Sequence, residues 1–493
     1  MLHFEILGAT ILLIRKTLSN FGNVFDNDFG NVTNLDFKNQ GEKDMKVKKF
    51  LSVALATVLS VGMLAGCSNS NNSSGGSDSS EKGKVYYLSF KPEQEEQWKE
   101  IAKKYTDETG VEVKVVTAAS GKYEQTLKSE ITKSDAPTLF QINGPVGYQS
   151  WKDYCADLTD TELNKHLLNQ DLAIKGDDDK VYGIPYVEEG YGIIYNQSIM
   201  DKYFKLDGAK VKSMDEINSF AKLKEVAEDM QSKKDELGIK GVFASTSLTP
   251  GEDWRWQTHL ANLPIYYEYK DNNVKDEDKI SFKYSDNYKN IFDLYINNST
   301  CEPKLLGSKT VTDSMSEFAL GQCAMVQNGN WGWSQIADVS GNTVKEDDVK
   351  FLPIYTGVKG EEKQGLCIGT ENYFCINKEA SEADQKATQD FINWLFTSDD
   401  GKDYVTNELG FIAPFDTFSD KEVPQDPLAK EVIKYMKDDN YYNVDWNFTT
   451  FPSQQFKDDF GAALLEYCNG NKTWDDVKKL VVDEWASEKE LTK

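Results

Sequence analysis

Histidine is almost absent from this chain: three occur in 493 residues, His3, His166 and His259. That scarcity argues against a hydrolase built on a histidine base and against a histidine-rich metal site. Cysteine is equally uninformative as metal chemistry, because the spacings of the seven residues match no zinc pattern. The six beyond Cys67 read as packing residues, with Cys367 and Cys375 able to pair if they share one β segment. Positive charge is in deficit, 55 Lys and Arg against 81 Asp and Glu, for a net −26. A nucleic-acid backbone is repelled by such a surface, while solubility is favoured. The first apolar run, residues 6–14, is too short to span a bilayer. Nothing calls for a cofactor or a bound metal. The acidic stretch Asp271 to Asp278 is a poor calcium loop, since Lys275 interrupts it and the required glycine is missing.

What is present begins at Met45. Residues 1–44 are Asn- and Asp-rich without periodicity and are expected to be untranslated or unstructured. Lys46, Lys48 and Lys49 then precede an apolar run from Phe50 to Leu64, the order of a secretion signal over 45–66. It closes on Leu64-Ala65-Gly66-Cys67, which resembles a bacterial lipobox and implies a lipid on the Cys67 sulfur. Residues 67–83, rich in Ser, Asn and Gly, bury nothing and read as a flexible tether. A lipid, a leash and a folded body describe a protein anchored to the outer face of a membrane.

The body is long enough for two domains. Strand Val85 to Phe90, an amphipathic helix through Trp98, Ile101, Ala102 and Tyr105 with a stop at Gly110, strand Val111 to Val116, helix Tyr123 to Ile131 and strand Leu139-Phe140 follow in order. This β-α-β-α-β order predicts a parallel sheet covered on both faces. Asn143 lies in the turn at the carboxyl edge of the third strand, to touch a ligand or to hold the turn. Further on, helices near 217–234 and 288–296, strand Gly241 to Ser245 and the pair Trp254 and Trp256 are expected. At a helix start one of the two tryptophans packs and the other protrudes; Trp254 is the expected protruding ring.

The centre of the chain is Phe318 to Trp333. A helix end stopped by Gly321 leads to the buried strand Ala324-Met325-Val326, then to Asn328-Gly329-Asn330, a turn whose glycine tolerates positive φ, then to Trp331 and Trp333. On pattern alone the two tryptophans read equally as core or as a ligand wall. This stretch resembles the extracellular solute-binding proteins, family 1, of carbohydrate ABC importers, the group that includes the maltodextrin-binding proteins. Asp135 to Phe140, Tyr182 to Tyr186, Gly192 to Asn196, Phe391 to Phe396, Gly410 and Pro414 are similar in the same order. The resemblance implies an α/β, two-lobed periplasmic-binding-protein-like fold, each lobe a mostly parallel sheet flanked by helices, with a ligand cleft between. It places a first lobe at 84–188 with 350–413 and a second at 189–349 with 414–493. Strands are expected at 349–354 and 365–376, and helices at 380–396 and 454–468.

The resemblance also implies sugar contacts. Glu189, six residues before Tyr195, matches a crevice carboxylate, and Trp331 an aromatic floor under one ring. Lys91, Asn143, Asp253, Trp254, Trp256, Asn330, Trp333, Glu371 and Trp446 complete the candidate set. Sugar rings offer apolar C–H faces to aromatics and hydroxyl edges to carboxylates and amides. The expected function is therefore capture, without catalysis, of an oligosaccharide and its delivery to the permease of an ABC importer by a monomeric lipoprotein. The rival is a secreted carbohydrate-active enzyme with paired carboxylates.

Overall fold

Twelve strands form two six-stranded sheets among residues 82–119 and 121–491, those that the computed structural model describes. The signal segment, Cys67 and nearly all of the tether lie outside the described residues. The first sheet takes β1 (Val85–Ser89), β2 (Val113–Thr117), β3 (Leu139–Asn143), β4 (Ile174–Lys175), β5 (Val181–Pro185) and β11 (Asn372–Ile376), in the order β2-β1-β3-β11-β5-β4. The second takes β6 (Glu189–Asn196), β7 (Gly241–Phe243), β8 (Cys323–Gly329), β10 (Gln364–Gly369) and β12 (Tyr442–Asp445), ordered β12-β10-β6-β8-β7, with β9 (Val349–Leu352) also paired to β6.

Local sequence explains the elements. In the helix Glu95–Thr109, Trp98, Ile101, Ala102 and Tyr105 are the buried residues, spaced to share one face. Gly110, at φ 71°, ends it and returns its N–H to the Thr106 carbonyl at 2.8 Å. Along β6, Tyr191, Ile193 and Tyr195 join one core while Ile194 joins another, the two-residue alternation of a strand covered on both faces. In β1, Val85 and Tyr87 likewise face one core and Leu88 the other.

Three expectations are corrected. The sheets are mixed rather than mostly parallel: β1 runs parallel to β2 and β3, but β11 is antiparallel to both β3 and β5. A strand that arrives by crossing from the other lobe has no helical crossover to set it parallel. The change of lobe near 350 is too early, because β9 and β10 both pair with β6 and only β11 joins the first sheet. The step falls between Gly369 and Asn372. For the same reason Cys367 and Cys375 lie in different sheets and form no pair. Among the described residues no helix is long and apolar enough to cross a membrane.

The lobes meet along one edge. A Cβ on Gly121, in the loop after β2, would lie 2.7 Å from the Gly251 carbonyl oxygen, and one on Gly144, after β3, 2.6 Å from the Thr449 Cβ. The carboxyl ends of β2 and β3 thus face the loops that follow β7 and β12.

Candidate functional site

At that edge the chain gathers aromatic rings on one side and charged groups on the other. The helix that begins after β7 opens with a π-turn, Arg255–Leu260, capped by Trp254. The wide turn brings Trp254 and His259 onto one face, ring centroids 4.8 Å apart and edge to face. His259 stacks on Tyr191 at 4.3 Å and meets Trp331 at 5.4 Å. Trp331 also lies 6.0 Å from Trp254 and 6.3 Å from Trp446. Asn262 fixes the Trp446 loop from both sides: its Nδ2 donates to the Asp445 carbonyl at 3.0 Å, and its Oδ1 accepts from Asn447 and Phe448 N–H.

Two of these rings rest on glycine. A Cβ on Gly329 would sit 2.2 Å from the Trp331 ring, and one on Gly369 would sit 2.7 Å from Trp446. β8 runs on through Gly329, whose φ is −106°, so the expected left-handed turn at 328–330 is corrected. Glycine is needed there because the indole lies flat on it, and the turn is the 3-10 segment Asn330–Gly332.

The charged side comes from the first lobe and the crossovers. Lys91, just past β1, donates to Glu189 Oε1 at 2.7 Å, with the two side chains 6% and 3% exposed. Asn372 Nδ2 reaches the other Glu189 oxygen at 3.3 Å. Burial works against the Lys91 charge, yet Glu189 and Glu93 hold its pKa above the ordinary value. Lys91 Nζ also stands 6.0 Å from the Trp331 ring centroid, so the two sides face each other. Glu371, in the step between β10 and β11, has its pKa pushed up to about 7 by burial, against the pull of Lys457. Burial lowers the Lys457 pKa in turn.

Several buried polar atoms at this edge have no partner among the described residues. They include the indole nitrogens of Trp331 and Trp446, the Oδ1 atoms of Asn143 and Asn372, and all three guanidinium nitrogens of Arg255. Asn143 and Asn372 are register partners across β3 and β11, which sets their side chains at one sheet end. Unmet donors and acceptors beside aromatic rings are what a polar ligand with apolar faces satisfies.

The family model for bacterial extracellular solute-binding proteins matches residues 100–431, about two thirds of the chain. The chain belongs to the bacterial extracellular solute-binding proteins. Among solved structures, this solute-binding protein is similar to a chitin oligosaccharide binding protein, at 17% identity and a TM-score of 0.64 over 83% of this chain and 99% of that one. It is similar to RafE in complex with raffinose, at 19% identity and a TM-score of 0.62 over 82% and 99%. A sugar transporter protein from Bacillus licheniformis in complex with stachyose matches at 16% identity and a TM-score of 0.60 over 82% and 100%. At such identities the likeness shows the two-lobed fold. No curated protein sequence matches the chain.

Within this solute-binding protein the expected residues divide. Lys91, Asn143, Glu189, Trp254, Trp331, Glu371 and Trp446 come together at the edge between the lobes. Trp256 does not: it is 1% exposed, packed on Phe292 and Tyr295 within the second lobe. Two residues past Trp254, it turns inward, as expected of a pair at a helix start. Trp333 packs on the core cluster that holds Ile194 and Leu428. Asp253 is buried against Gly461, and burial raises its pKa to about 6. Asn330 is a brace, accepting the Gly190 N–H at 2.9 Å. Glu189 is not a free crevice carboxylate, since Lys91 and Asn372 already occupy it. The acidic stretch 271–278 is tied by ion pairs, Asp271 to Lys283 and Asp276 to Lys489, both at 2.6 Å.

Sequence reasoning missed Arg255, His259, Glu93, Asn372 and Lys457. One compositional signal pointed to Arg255: apart from Arg15, it is the chain's only arginine. The others come from four separated segments and carried no local pattern.

Proposed function

We propose that this protein binds an oligosaccharide between its lobes and delivers it to the permease of an ABC importer, held to the outer face of the membrane by a lipid on Cys67. The observation that carries the reading is the triad Trp254, Trp331 and Trp446, whose indole donors at Trp331 and Trp446 lack acceptors among the described residues, with Lys91 of the first lobe facing Trp331 across the edge. Indole faces cover the C–H faces of sugar rings, and the unmet donors take hydroxyl oxygens. Each lobe presents half of the contacts, so a ligand touching both favours the closed arrangement. The structural relatives named above, among them proteins in complex with raffinose and stachyose, support a saccharide as the ligand. The sequence Leu64-Ala65-Gly66-Cys67 after a signal-like run supports the anchor.

Isothermal titration of the purified protein against a panel of oligosaccharides tests the reading. Saturable binding, abolished or strongly weakened in Trp331→Ala, is the expected result. Binding of no saccharide, or release of new reducing ends during incubation, refutes it. The second outcome would favour the enzyme reading, which the occupied Glu189 carboxylate disfavours.

A further inference from the structure

The Arg255 guanidinium is the least compensated charge at the site. It is 1% exposed, and among the described residues Nε, Nη1 and Nη2 all lack a hydrogen-bond acceptor. Its central carbon stands 3.8 Å from the Trp254 ring centroid, so one broad face of the group is covered by indole. Stacking uses the face of a guanidinium and leaves its N–H groups, which lie in the plane, unspent. The nearest acids do not quench it by contact. Glu252 accepts the Val311 N–H at 2.6 Å, and Glu93 is drawn to Lys91 at 4.0 Å. Both act on Arg255 at a distance only. Leaving a buried cation without a contact partner is strongly unfavourable, and a native chain keeps one where something else completes it.

The choice of residue sharpens this. Everywhere else beyond Arg15 the chain uses lysine for positive charge; at this one buried position it uses arginine. Arginine stays charged when dried and offers a planar fork that matches a carboxylate edge to edge. A hydroxyl group would accept from it but would leave its charge unneutralised. Glu93, one of the two nearest acids and one that would repel an anion here, is held toward the neutral form by burial, against the pull of Lys91.

We propose that the ligand is an acidic oligosaccharide, one that carries a uronate carboxylate, and that Arg255 is the residue that selects it. This rests on the saccharide reading above. The carboxylate would meet the free edges of the fork while Trp254 backs the guanidinium, and the rest of the sugar would lie along Trp331 and Trp446.

The test is titration of the purified full chain, and of Arg255→Gln and Arg255→Met, with oligosaccharides in matched pairs, neutral and uronate-bearing, on the same backbones. The expected result is a preference of roughly tenfold or more for the uronate member, as suits a charged pair in a desolvated site. Arg255→Gln should lose that preference and bind the two members alike. Equal binding of the two members by the parent, or a preference that survives in Arg255→Gln, overturns the proposal and leaves the saccharide reading standing. Binding of neither kind overturns both. A second readout separates recognition from a structural role: without ligand, Arg255→Met should melt no lower than the parent, because it removes an unpaired buried cation. A clear fall in its melting temperature would mean that the charge is satisfied within the fold, and would overturn the proposal as well.

Discussion

Replacing Glu189 by alanine should cost this protein about 3–5 kcal/mol of stability, the range for breaking a buried ion pair by removing one partner. The structure places the effect toward the lower end. Lys91 and Glu189 meet at 2.7 Å with 6% and 3% of their side chains exposed, so the lost contact is a dry one. The stranded ammonium keeps Glu93, but at 4.0 Å and with that carboxylate 18% exposed, a weaker second attraction. Asn372 would lose its acceptor too. For a lobe of about 200 residues, about 3 kcal/mol corresponds to a fall of about 6–12 °C in melting temperature. The decisive comparison is Lys91→Met with Glu189→Leu together, which strands no charge and should recover most of the loss, because desolvation of the native pair offsets much of its attraction. Urea unfolding followed by tryptophan fluorescence gives both values. A loss below about 1 kcal/mol in Glu189→Ala would show that the pair is hydrated and the edge open to water. A double variant no more stable than Glu189→Ala would show that the two side chains are held by contacts other than each other.

Trp331→Ala should weaken saccharide binding by about 2 kcal/mol or more, as a central aromatic anchor does, and Gly329→Ala should mimic it, because the added methyl would occupy the space of the indole; normal titration curves in Gly329→Ala would mean the ring need not lie where it does. The raised Glu371 pKa has a definite sign: the folded form holds its proton up to about 7 while the unfolded carboxyl releases it near 4.5, so this group's contribution to stability falls as pH rises between those values. The ceiling is about 3 kcal/mol at ~1.4 kcal/mol per pH unit, and Glu371→Gln should flatten the slope between pH 5 and 7.5 in urea midpoints; an unchanged slope counts against the burial argument. Cys67→Ala should abolish incorporation of labelled fatty acid, and continued labelling would disprove the anchor.

The residues alone determined much of the scaffold. Apolar spacing and a terminal glycine located the helix Glu95–Thr109, and short apolar runs located β1 and β3, because a side chain's period follows from backbone geometry within a few residues. The ordered short motifs were enough to imply a two-lobed binding fold, which the structure shows. The candidate set included Trp254, Trp331 and Trp446, with Trp331 placed by the resemblance, and the structure gathers the three rings at one edge.

Tertiary structure decided the rest. That Trp256 packs on Phe292 and Tyr295 is set by a helix further along the chain, which holds the face Trp254 leaves free. The assignment of β9 and β10 to the second sheet could not be read from their own apolar runs, which suit either sheet equally; their pairing with β6 settled it. Glu189 read as a crevice carboxylate, and only the fold brings Lys91, 98 positions earlier, against it. Gly329 looked like a turn glycine, and its role became clear only with the Trp331 ring on top of it. Charge compensation and close contact are properties of neighbours in space, and the neighbours of this site come from segments that the chain brings together only when both lobes have formed.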